Sequence, residues 1–145
     1  MNSQVARILS VAAVCFAPSV HAQSSLSQSD ILRIASTAAE CAVFASNSGR
    51  AVERDRLLRS AAESALLYAR IRVSDDQFAP AGVFEQFGPE FLAGYIVAHS
   101  MMRAELTLEG SLLSVTDMES ATYRLEQIST LSEGFYSSNG CQDIE

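Results

Sequence analysis

AECAVFAS, residues 39–46, sets a cysteine inside a run of small and apolar residues, and its reading decides the fold. Stepped at ~100° per residue, Ile31, Ile34, Ala38, Ala42 and Ala45 fall on one stripe, with Arg33, Ser36 and Glu40 opposite. That is the pattern of an amphipathic helix with one face against other protein. Cys41 stands at the edge of the apolar stripe. Upstream, Ser27 is placed to cap the amide three residues on, Asp30 suits the positive helix end, and Leu26 and Ile31 have staple spacing. Downstream, Asn47-Ser48-Gly49 ends the helix.

Outward from this segment the chain reads as helix throughout. A second helix is expected from about Ala51 to Ile71, with Leu57, Leu58, Ala61, Ala65, Tyr68 and Ala69 on its inner face. Turn-forming residues from Val73 to Pro80 make a loop. A short helix, Ala81 to Phe87, stops at Gly88-Pro89, and Pro89 opens a third main helix as a first-turn proline. From Phe91 to Ala98 every residue is apolar or glycine on all sides, which predicts that this helix is central. A connector through Gly110, with Leu112-Leu113 buried, leads to the capping box Thr116-Asp117-Met118-Glu119. The fourth helix carries Met118, Ala121, Leu125, Ile128 and Phe135 at helical spacing. Alternating strand patterns are confined to Ile71–Val73 and Leu106–Leu108, too short to weigh. The expectation is an all-α fold: a small antiparallel helical bundle of four main helices plus one short helix.

The amino-terminal 22 of the 145 residues are set apart from this fold. Arg7, the apolar run Ile8–Ala17, Pro18 and then Val20-His21-Ala22 form the pattern of a secretory signal, with cleavage expected after Ala22. The apolar run is too short to span a bilayer, which takes about 20 residues. Cys15 invites a lipoprotein reading, but Ala12-Ala13-Val14 is a poor lipobox. The domain is then residues 23–145, periplasmic or secreted, with no membrane span. It holds nine arginines, no lysine and 17 acidic residues, a formal charge of −8. That sign repels phosphate backbones and favours a basic partner, which argues against nucleic-acid binding.

Cleavage leaves two cysteines, Cys41 and Cys141, in a compartment that oxidises thiols. An intrachain disulfide is expected, clasping the first helix to the tail after the turn Asn139-Gly140; two free thiols or an interchain bridge are the alternatives. In the chain-entropy treatment a closed loop of about 100 residues is worth ~4–5 kcal/mol.

Patterns that carry chemistry are scarce, so no enzyme activity, cofactor or metal is expected. One histidine and two oxidised cysteines do not make a zinc centre. A haem on His99 and a methionine such as Met118 lacks the C-x-x-C-H attachment motif. No G-x-S-x-G elbow accompanies His99 and Ser100, which lie about 100° apart on a helix. Asp75-Asp76 lacks the spaced oxygens of a calcium loop. The carboxylate pairs Glu85 with Glu90 and Glu105 with Glu109 are what any acidic surface offers. His99 shares an apolar seam with Leu92, Tyr95, Met102 and Leu106, which predicts a buried imidazole; a pH-responsive group is the alternative.

Two surfaces remain as candidates. Arg56, Arg59 and Arg70 project to one side of the second helix, accompanied by Glu63. They are either a solvated face, with Arg59 and Glu63 paired at i, i+4, or a docking surface for a partner's carboxylates. Phe84, Phe87, Phe91 and Tyr95 recur at spacings of three and four. They pack the core, or with His99 they line a pocket beside the Gly88-Pro89 break. The piece Phe91–Ile96, FLAGYI, resembles a helix of periplasmic immunity proteins of the type VI amidase-immunity class, which are small, exported, helical and disulfide-bonded. In that class cysteines usually lie near this segment, whereas Cys41 and Cys141 are far from it, and no site residue carries over. The sequence therefore points to protein–protein binding, as an inhibitor, immunity factor or envelope accessory. Another envelope or secreted protein would be the partner, and a homodimer is possible. The alternative is a bundle holding a small ligand or haem near His99.

Overall fold

The computed structural model describes residues 26–73, 84–113 and 121–144, without the side chains of residues 84–86, 113, 121 and 122. The signal segment, the turn-rich loop after Val73, the start of the short helix at Ala81, and the Thr116 capping box with Met118 lie outside the described residues. Four helices follow in order: α1 (Gln28–Asn47), α2 (Ala51–Val73), α3 (Phe84–Leu113) and α4 (Ala121–Ser138), with a final 3-10 turn, Cys141–Asp143. Among the described residues there is no strand.

The ends of α1 form as the sequence dictates. The Asp30 amide donates to Ser27 Oγ at 3.2 Å, and the Ser27 hydroxyl donates back to the Asp30 carboxylate at 2.6 Å. At the other end the Ser48 amide donates to Phe44 O at 3.0 Å. Gly49 then takes φ +77°, a conformation that a side chain disfavours, and the chain reverses into α2. Leu57 joins the cluster around Cys41–Ala45, Ala61 meets Ala38 and Ala39, and Ala65 and Ala69 meet Ala35. The two helices are therefore antiparallel. Alanine faces alanine along most of this seam, and small side chains at the contact let the axes come close.

α3 runs alongside α1 in the same direction. Ala93 and Ile96 lie by Ala35, Val97 and Met101 by Ala38 and Ala39, and Ala104 and Leu108 by Cys41–Ala45. Gly88 interrupts it, with φ 77° and ψ 176°, immediately before Pro89. Proline cannot donate to the preceding turn, and glycine absorbs the bend. α4 returns antiparallel to α1, stacking Phe135 on Phe44 with ring centroids 5.3 Å apart. Past the Asn139-Gly140 turn, Cys141 meets Cys41 and Ile144 reaches Ala38, Ala39 and Ala61. The cysteines are bonded, with Cα atoms 5.5 Å apart and neither exposed. The molecule is thus an up-down-up-down bundle closed by one disulfide.

Three expectations of arrangement are corrected. Among the described residues α1 is the most central helix: it meets the other three helices and the 3-10 turn, whereas α3 meets the other three helices, less extensively, and not the turn. The reason is that α1 is buried nearly all round from Cys41 to Ala45, whereas α3 buries one side of its apolar surface. Gly110 is not a connector: α3 continues through it to Leu113, and Leu112 is buried there. Leu125 does not line the core. It stands exposed, while Ser132 and Tyr136 take the buried positions of α4.

Candidate functional site

The arginines come first, because the structure separates them. Arg56 belongs to the clasp of the carboxyl tail: its Nε donates to Glu53 Oε2 at 3.0 Å, and its Nη atoms donate to the carbonyls of Ile144 and Cys141. It spans residues 85 or more apart in the chain and stands beside the disulfide. A second tie lies nearby. Arg50 Nε donates to Glu133 Oε2 at 3.0 Å, and the guanidinium sits 4.8 Å above the Tyr136 ring. Hydrogen bonding to Arg50 holds the Glu133 carboxyl below its usual value and correspondingly raises Arg50. Asp30 is lowered in the same sense by the hydrogen bond from Ser27, with Arg33 second. Arg59 and Arg70 are exposed. No ion pair joins Arg59 to Glu63, so that expected pair is corrected too. What remains of the arginine face is two cations three turns apart.

The aromatic residues do come together, and on the outside. Phe87 and Phe91 pack at 4.8 Å across the Gly88 bend, and Tyr95 and His99 stack at 5.8 Å with their rings nearly parallel. Phe84 is in the helix, but its side chain lies outside the described residues. Phe87 is 57% exposed, Tyr95 54%, Met102 48% and Leu106 58%, with Phe91 at 44%. His99 is exposed as well, which corrects the buried imidazole expected for it. Its neighbour Ser100 is buried, so the two point to different surroundings and form no dyad.

The geometry explains why. At ~100° per residue Phe91, Tyr95, His99, Met102 and Leu106 share one face of α3, while Ala93, Ser100, Ala104 and Leu108 lie roughly opposite. The second set packs on α1 and α2; the first faces solvent along about 22 Å of helix. Phe and Tyr side chains carry 150–250 Å² each, so this ridge exposes on the order of 400 Å² of apolar surface, comparable with the largest and often functional patch of a typical monomer. One edge of the ridge is acidic. Glu105 and Glu109 are exposed and make no ion pair or hydrogen bond with the described residues, and Glu90 is likewise exposed near the bend. The helix's one cation, Arg103, turns instead to Glu40 of α1 at 3.6 Å.

A recess of about 110 Å³ lies where α1, α2 and α3 meet, lined by Ala42, Val43, Ser46, Arg54, Leu58 and Glu105 among others. Small-molecule sites usually enclose 300–1,000 Å³, and this one includes none of the aromatic side chains or His99. Among the described residues no three His, Cys, Asp or Glu side chains converge to hold a metal, and no helix is long and apolar enough to cross a membrane.

Fold and surface together define a disulfide-clasped four-helix bundle that displays an apolar ridge on one helix. No family model, curated protein or solved structure matches the chain, so the resemblance at Phe91–Ile96 rests on six residues.

Proposed function

We propose that this chain is an exported, periplasmic or secreted binding protein that acts on another protein through the outer face of α3. The observation that carries the proposal is the two-sidedness of that helix: its inner face completes the bundle, and an equally apolar outer face is left in water. Phe, Tyr, Met and Leu side chains at helical spacing stay about half exposed on that face, and large aromatics are enriched where proteins dock. An inhibitor, immunity or accessory role suits such a surface. The rival reading, a small ligand or haem near His99, is less favoured because these side chains pair with one another on an exposed helix face and line no part of the described recess.

The test is affinity capture from an envelope extract with the oxidised protein, beside Met102→Glu and Leu106→Glu variants of unchanged helicity. A protein retained by the parent and released by both substitutions supports the proposal. A protein held equally by all three places the working surface elsewhere.

A further inference from the structure

We propose that the outer face of α3 takes a cationic amphipathic helix of the partner, with apolar side chains at i, i+3 or i+4 and i+7 and Lys or Arg along its flanks. The inference rests on α3 being the working surface. It adds the chemistry of what lies there.

Shape argues for a helix. Met102 and Leu106 continue the row of Phe91, Tyr95 and His99 at spacings of three and four, so the face is a straight ridge beside shallow grooves, which is how helices interlock. There is no strand edge among the described residues for an extended peptide to join. A convex ridge gives a small molecule nothing to enter.

Charge selects the flanks. Among the described residues no ion pair engages Glu105 or Glu109 at the edge of the ridge, and Arg103 pairs instead with Glu40. The whole chain carries a formal charge of −7 without a lysine. A partner with guanidinium or ammonium groups beside its apolar stripe would neutralise this edge and be steered to it. A second copy of the chain would bring the same carboxylates and the same net charge, and is disfavoured.

The probe is a labelled synthetic peptide of 20 residues with Leu on one face and Lys on its flanks, compared with a twin bearing Glu on the flanks. Anisotropy is measured against the oxidised protein. The Lys peptide is expected to bind saturably and to weaken about tenfold with raised salt. Weakening by a similar factor is expected for the double variant Glu105→Gln with Glu109→Gln, and binding is lost with Leu106→Glu. Equal binding of both peptides, indifference to the two glutamine substitutions, or preferential binding to neutral lipid vesicles would overturn the inference. So would a dimer in light scattering that Leu106→Glu dissolves. If capture from extract depends on Leu106 while the Lys peptide fails to bind, the helix chemistry is wrong and the working surface stands.

Discussion

Ser132 is fully buried on α4 and its hydroxyl has no hydrogen-bond partner among the described residues. A buried polar group left unsatisfied costs about 1–3 kcal/mol, so Ser132→Ala should stabilise the protein by up to that amount, read as a higher denaturation midpoint at unchanged slope. A lower midpoint would mean that the hydroxyl is satisfied. Glu133, one residue on, is half-exposed, and there the test is pH. Its carboxyl is held below the ordinary value of 4.5 by Arg50, so the folded state holds that proton less tightly than the unfolded chain. The pair contributes above that ordinary value and its contribution is lost as pH falls through the lowered one. In acid titrations followed by circular dichroism, Glu133→Gln should therefore lose less stability than the parent below about pH 4.5. Neither Arg50–Glu133, 83 residues apart, nor the hold of Arg56 on the tail could be read from the sequence, since local spacing pairs only neighbours on a helix.

At the scale of elements, α3 offers its own control. Leu108 is 4% exposed and Leu106, two residues away, 58%. Leu108→Ala should cost about 2–5 kcal/mol as a core cavity, whereas Leu106→Glu should stay within about 0.5 kcal/mol. Comparable losses in urea titrations would show both faces to be packed. Ser27→Ala, which removes the cap of α1, should cost about 1 kcal/mol by the same measurement. Caps and breakers were the legible features: Ser27, Gly49 and Gly88-Pro89 act through their own backbone chemistry and need no tertiary context. The orientation of α3 was not legible, because a segment apolar on every side has no hydrophobic direction. Gly110 misled for a related reason, since one glycine costs a helix only about 1 kcal/mol and packing of the neighbouring Leu112 carries the helix through it. Leu125 has the right spacing to be core, yet α4 turns Ser132 and Tyr136 inward instead.

For the whole molecule, the bundle and its single clasp follow from two amphipathic helices, a proline-opened third and a pair of cysteines in one chain. The docking order does not, because α1 owes its centrality to small side chains whose packing value appears only when helices meet. The bridge should dominate global stability: denaturant unfolding with reductant present should show a loss of up to about 4–5 kcal/mol. Because Cys41 and Cys141 are wholly inaccessible, reduction under native conditions should be slow and should accelerate sharply in denaturant. The same bond has a consequence for the severed chain. It joins positions 100 apart, so one proteolytic cut anywhere from 42 to 140 yields two pieces that still migrate together on a non-reducing gel and part only when thiol is added. A nicked molecule of this kind keeps α1 tethered to the 3-10 turn after its backbone is broken.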